Sequence, residues 1–191
     1  MYPLVMNLHF LSLVVLAMTL ASKLVLLFAL LVLSFNHIEA KMKITRMQFY
    51  MHDVVGGPNP TAVRVAGRSN FTGTNPIEAM FGSIFIMDNP LTATPNPNST
   101  VLGRAQGIYA MSSKETEFSL LMTLTYGFIS GPYNGSSFSV IGRNPVMSEV
   151  REMPVVGGTG MFRLARGYCL AKTYSMDQMD AIIGYNVTLI H

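Results

Sequence analysis

The stretch 118-FSLLMTLTYGF-128 decides the fold class. In an extended chain Phe118, Leu120, Met122, Leu124, Tyr126 and Phe128 fall on one side, and Ser119, Thr123, Thr125 and Gly127 on the other, with Leu121 the exception. A period of two marks a strand with one buried face, whereas a helix repeats its apolar residues every three to four. The same pattern returns in 181-AIIGYNVTLI-190, with Ile183, Tyr185, Val187 and Leu189 opposite Asn186 and Thr188. Strands are expected near 45–55, 62–67, 82–88, 101–111, 116–127, 136–142, 160–174 and 181–190. Turn-forming stretches separate them: "GGPNP", "TNP", "TPNPNST", "GPYNGS" and "GGTG". This region has no convincing 3.6-residue period and no internal repeat. Many short strands joined by polar turns specify an all-β domain, either a sandwich or a closed antiparallel barrel.

The glycines of 155-VVGGTGMFRLARGY-168 could also suggest a phosphate-binding loop. Such a loop needs Lys and Ser/Thr after its last glycine and then a helix, but Gly160 is followed by Met161, Phe162 and Arg163. A dinucleotide fingerprint needs a glycine where Arg163 stands. The cluster is therefore expected to be a tight bend whose glycines permit positive φ.

The first 40 residues differ from the rest. Lys23 precedes an apolar run, Leu24 to Phe35, of the length of a signal-peptide core, and a second run, Phe10 to Leu20, lies upstream. Residues 1–40 are read as a signal peptide cleaved after Ala40, with Met18 as an alternative start; an uncleaved membrane anchor is the rival reading. Residues 41–191 then form one domain. Without Lys23 and Glu39 its balance is 12 basic to 9 acidic residues, with no basic run, so no nucleic-acid partner is expected. Sequons at Asn70, Asn98, Asn134 and Asn186 point to secretion and glycosylation. Cys169 is the sole cysteine, so the domain is held by its core or by oligomerisation rather than by an intrachain disulfide.

Few residues carry obvious chemistry. The histidines are His9, His37, His52 and His191, and no Cys/His cluster has ligand spacing, so no metal site is expected. His52 reads as a strand residue, and no G-x-S-x-G elbow occurs. Met47, Phe49, Met51 and Asp53 share a face, which puts one carboxylate at the end of an apolar row. Desolvation there would raise its pKa and make it a usable acid or base; otherwise it is a strand-end Asp satisfying turn N–H groups. Gly103, Ala105 and Gly107 share a face with Tyr109; small residues in a row leave interior volume unless large neighbours fill it. Arg151 lies between Glu149 and Glu152, either clamping an anionic oxygen or forming a surface ion pair of little energetic weight.

Six stretches, "FYMHD", "FGSIFIMDNPLT", "GRAQGIYA", "GPYNGSSFSVIGRNP", "REMPVVGGTGMFRLARGYCLAKTY" and "YNVTLIH", resemble the plant dirigent family in order across nearly all of residues 41–191. The resemblance implies an eight-stranded antiparallel β-barrel like that of allene oxide cyclase, assembled as a homotrimer, secreted to the apoplast or cell wall and glycosylated. It implies no resident cofactor. It implies a phenolic radical or quinone methide ligand, with a laccase or peroxidase supplying the radicals, and stereoselective coupling of coniferyl alcohol in lignan biosynthesis. Asp53, Tyr109 and Arg151 match the family's acidic, tyrosine and arginine pocket positions, so these are the expected catalytic residues. Asn144, Met111 and Asp88 are the expected substrate-binding residues. In lignan-forming members an aspartate stands at the position of Asn144 and a second tyrosine at Met111. An amide cannot exchange a proton as a carboxylate does. Relatives resembling pterocarpan synthases, which dehydrate an isoflavanol through a quinone methide, are therefore an alternative, and a non-catalytic cell-wall binding barrel is a third.

Overall fold

A computed structural model describes residues 8–36 and 42–191. The chain divides into two compact units, Met1–Lys41 and Met42–His191, and each is taken by itself. In the first, α1 runs from Leu8 to Asn36 without a break at Ser22 or Lys23. The two apolar runs are thus one helix. Its segment Phe10–Val32 has a mean hydropathy of 2.4 over 23 residues, enough by length and composition to cross a membrane, a property that N-terminal signal sequences share. The expected cleavage point after Ala40 lies outside the described residues.

The second unit is built of β1 (Ile44–Asp53), β2 (Ala62–Ala66), β3 (Ile84–Thr92), β4 (Val101–Met111), β5 (Ser119–Phe128), β6 (Ser137–Pro145), β7 (Arg151–Thr159), β8 (Arg166–Asp177) and β9 (Asp180–Ile190). One short helix, α2 (Pro76–Met80), starts at the expected "TNP" turn, where the Asn75 side chain accepts from the Ile77 N–H. The strands are antiparallel neighbours in the order β1-β9-β8-β7-β6-β5-β4-β3-β2. β3 also pairs with β1, at Tyr50↔Thr92 and Met51↔Leu91, which closes a ring of eight strands and leaves β2 outside it on the rest of the β3 edge. Of the two all-β alternatives, the barrel is the one formed.

Two expectations need correction. Residues 151–159 form β7 rather than a loop with a bend. Its inward residues Arg151, Met153 and Val155 are buried in alternation, but a proline and two glycines hide that pattern in the sequence. Pro154 is tolerated because pairing with β6 ends at Val140↔Val155, so its missing N–H costs no ladder bond on that side. The residues 160–165, expected as the start of the next strand, instead make a single 3₁₀ turn at Gly160–Phe162 before β8 begins at Arg166. Of the three glycines only Gly160 has a positive φ, 60°. Gly158 is extended, and a Cβ there would meet the Phe162 carbonyl oxygen at 2.5 Å.

The interior has a filled half and an open half. Phe49, Tyr126, Phe138 and Tyr185 pack ring against ring, at 5.4 Å for Phe49–Tyr185 and 4.8 Å for Tyr126–Phe138, and Phe128 and Phe162 extend the cluster. These rings occupy the space opposite the small residues of β4: Ala105 pairs with Tyr126 and Gly103 with Phe128. The small row therefore admits rings and creates no void, and it does not line the cavity described below. A Cβ on Gly103 would lie 2.0 Å from the Gly127 carbonyl oxygen. Gly103→Ala is expected to force β4 and β5 apart and to cost about 1–3 kcal/mol, read as a lower midpoint in urea unfolding.

Candidate active site in the open half of the barrel

The inward residues at the other end of the strands surround a cavity of about 450 Å³, within the range of small-molecule sites. Met51 and Asp53 come from β1, Phe85 and Met87 from β3, Tyr109 and Met111 from β4, and Leu120 and Met122 from β5. Eight methionines line it, including Met80 of α2 and Met147, Met176 and Met179 near the rim. Their unbranched thioethers give an apolar wall that adapts to flat aromatic surfaces.

Asp53 shares the inward face of β1 with Met51 and lines the cavity, so of the two readings of that row the desolvated carboxyl is the one the geometry matches. Burial raises its carboxyl from the usual range to about 6; the Asn89 amide, donating to Oδ1 at 3.1 Å, opposes the rise, and the nearby Asp180 carboxylate adds to it. Asp180 itself is held below the usual range by the N–H groups of Gly56 and Val55. Tyr109 is buried and stacks on Phe85 at 4.8 Å between centroids. Burial, and then the charge of Asp53, push its phenol well above the normal range, so it faces the cavity as a neutral hydroxyl.

The second polar group comes from the β6–β7 connection. Asn144 is the next-to-last residue of β6 and Arg151 opens β7, both buried. Arg151 Nε donates to Asn144 Oδ1 at 3.2 Å, and Nη1 donates to Thr173 Oγ1 of β8 at 2.9 Å and to the Ser148 carbonyl at 3.5 Å. The surface ion pair considered for Arg151 is not formed: Glu149 pairs with Lys172 and Glu152 is exposed. Desolvation lowers the Arg151 pKa, yet a guanidinium keeps its charge under any ordinary condition. Burial of the guanidinium leaves it bonded to neutral oxygens only, so its charge is available to a ligand oxygen.

Of the expected site residues, Asp53, Tyr109, Met111, Asn144 and Arg151 all line this cavity. Asp88 does not. It lies on the outer face of β3, exposed and paired with Arg104 at 2.5 Å, because the residue that faces inward there is its neighbour Asn89. Sequence reasoning also missed Tyr185 and Thr173. Tyr185 was visible as a core-face residue of the last strand, and burial raises its phenol as it does that of Tyr109. Nothing in the sequence marked Thr173 or Asn89. His52 is a buried strand residue facing away from the cavity, with Nε2 at 2.7 Å from Thr92 Oγ1. Among the described residues no His/Cys/Asp/Glu group could hold a metal. Burial pushes the Cys169 thiol up to about 12, which makes it inert rather than nucleophilic. Asn70, Asn98, Asn134 and Asn186 are all exposed.

A closed antiparallel barrel with one end packed by rings and the other a methionine-lined chamber holding a single carboxyl defines a small-molecule-handling β-barrel. Residues 44–190 match the family described as Dirigent-like protein, and the chain belongs to the dirigent family. It is 49% identical over 160 residues to Dirigent protein 23 of Arabidopsis thaliana, covering 82% of this chain and 83% of the relative. It is 48% identical over 152 residues to Pterocarpan synthase 1 of Glycyrrhiza echinata, covering 78% and 80%. The solved structure of a pterocarpan synthase dirigent protein superposes with a TM-score of 0.73 at 45% identity, over 80% of this chain and 87% of that one.

Proposed function

We propose that the protein controls the fate of a flat phenolic quinone methide, and that it does so as a dehydratase of the pterocarpan synthase kind. The observation that carries this reading is the presence of one ionisable carboxyl, Asp53, in the cavity, with an amide, Asn144, where the lignan-forming pattern has an acid. One acid suits a substrate that needs one proton delivered and returned. The protonated Asp53 gives its proton to a benzylic hydroxyl of an isoflavanol. The C–O bond breaks, water leaves, and loss of a phenolic proton yields the quinone methide. A second phenolic hydroxyl then attacks the benzylic carbon and gives its proton to the Asp53 carboxylate, while the rearomatised phenolate takes back from water the proton lost to water when the quinone methide formed. The balance is one isoflavanol to one cyclic ether and one water.

Arg151 stabilises the phenolate oxygen as charge develops, and Asn144, whose Oδ1 is occupied by Arg151, offers that oxygen only its N–H donors. Tyr109 supplies a neutral hydroxyl to the opposite polar end of the ligand. The apolar wall presents one face of the planar intermediate; about 2–3 kcal/mol suffices to select it, within the reach of a shaped pocket and one hydrogen bond. The relatives named as pterocarpan synthases at 48% and 47% identity support this reading. Radical coupling of coniferyl alcohol uses the same cavity and is the other outcome of the test. The purified protein is incubated with a racemic isoflavanol alone, and in parallel with coniferyl alcohol and a laccase. Ring-closed product from the first, of one handedness, supports the dehydratase. Optically active pinoresinol from the second, with no turnover in the first, supports the coupling guide.

The expected homotrimer and secretion belong to the same reading. Val63, Ile86, Ile108, Thr123 and Ile141 stand opposite one another in register across β2 to β6, a nearly unbroken apolar row on the outer face. The isoleucines are 42–48% exposed, and such a row marks a contact surface. Ile108→Lys is expected to convert the trimer to monomer in light scattering while far-UV circular dichroism stays unchanged. The apolar α1 and the four exposed sequons fit passage through the secretory route to the cell wall.

A further inference from the structure

Resting on the proton-transfer role given to Asp53, we propose that Asn89 is its positioning residue: across the β1–β3 seam its amide N–H holds Oδ1, so that Oδ2 is the oxygen that carries the proton into the cavity. Backbone pairing between β1 and β3 stops at Met51↔Leu91. Two residues further along the same register Asp53 stands opposite Asn89, but the backbones have parted there. The β3 edge is already taken: the Asp88 N–H donates to the Thr61 carbonyl and Ala62 pairs with Met87. The side-chain bond of 3.1 Å from Asn89 to Asp53 therefore replaces the missing ladder at the point where the wall splits to admit β2.

Asn89 is fully buried, and its own Oδ1 has no hydrogen-bond partner among the described residues. An unpaired buried amide oxygen is destabilising, since it gives up its bonds to water and gains none in return. A leucine of similar size would avoid that cost and lose the hold on Asp53. No other group does the same work. Tyr109 on β4 and Tyr185 on β9 are buried neutral phenols, Asp180 at the start of β9 repels a second charge, and the Arg151 guanidinium on β7 is engaged with Asn144 and Thr173. An amide N–H on Oδ1 favours the carboxylate and leaves the lone pairs of Oδ2 as the more basic ones.

The test follows the Asp53 carboxyl by carbon-13 NMR from pH 4 to 9, without substrate, in the full chain secreted from eukaryotic cells. Asn89→Leu and Asn89→Val are compared with the wild type, the second being the smaller intrusion should the first fold poorly. The titration midpoint is expected to move up by about half to one pH unit in either variant, with the kcat/KM profile on isoflavanol moving in step. An unchanged midpoint would overturn the proposal. So would a lower one, which would mean that the amide oxygen accepts from the protonated acid. A raised midpoint in a protein without turnover on any phenol would uphold the Asn89–Asp53 coupling and remove only the enzymatic reading.

Discussion

Asp53→Asn protein is expected to lose about 10²–10⁴-fold in kcat on isoflavanol and yet to melt at a higher temperature than the wild type at pH 7.5. The two effects have one cause. The cavity withholds water from the carboxyl and raises it to about 6, which keeps part of the population protonated in mildly acidic surroundings and able to donate. A group whose folded pKa lies above its unfolded value contributes stability that is fully present below the unfolded pKa, near 3.8, and that is lost as pH rises through about 6. Above that point the chain carries a buried charge that costs roughly 3 kcal/mol. Asparagine avoids it and still accepts from Asn89. The expected gain is about 6–12 °C at pH 7.5 and close to nothing at pH 4, measured by scanning calorimetry at both values. In the wild type kcat/KM should fall as pH rises through about 6, since the acid form starts the reaction. Equal melting temperatures at pH 7.5 would show that the carboxyl is hydrated and not the acid required here.

Arg151→Met is expected to lower kcat/KM by about 10²–10³-fold, the size of effect seen when a preorganised donor to a developing oxyanion is removed. The handedness of the product should weaken with it, because Arg151 also fixes the Asn144 amide. Stability should fall by no more than about 1–3 kcal/mol, since the buried Asn144 Oδ1 loses its donor while the loss of a desolvated charge offsets part of that cost. Arg151→Lys keeps the charge but cannot hold Asn144, Ser148 and Thr173 together, and should recover only a small part of the rate. Chiral chromatography of the product and initial rates read both quantities. Full activity with intact handedness in Arg151→Met would remove the phenolate clamp from the mechanism.

The residues that spoke clearly in the sequence are those whose neighbours share one periodicity. Phe118–Phe128 and Ala181–Ile190 keep their alternation through a single glycine each, and they form β5 and β9. The row ending in Asp53 allows either an inward acid or a turn-capping one, and the structure has it lining the cavity. Where a strand carries Pro154 and two glycines, local signals point to a loop, and only pairing with β8 over Arg151–Val155 and with β6 over Val155–Thr159 makes it a strand. Parity explains the Asp88 error: in a strand one position decides which side is wet, and "MDNP" offers two polar neighbours with no local cue between them. The small residues of β4 suggest open volume beside them, but rings from β5 fill that end, and the open end is lined by methionines that look like ordinary core residues. Asn89 and Thr173 matter only through a seam and a hydrogen bond that join strands distant in sequence, which no single stretch displays.

The most direct test of the central claim is the product formed from racemic isoflavanol by wild type and Asp53→Asn between pH 4.5 and 8. A cyclic ether of one handedness, formed at a rate that declines with a midpoint near pH 6 in the wild type and is nearly absent in the variant, is the predicted result. Racemic product, or equal rates in the two proteins across that range, would contradict it.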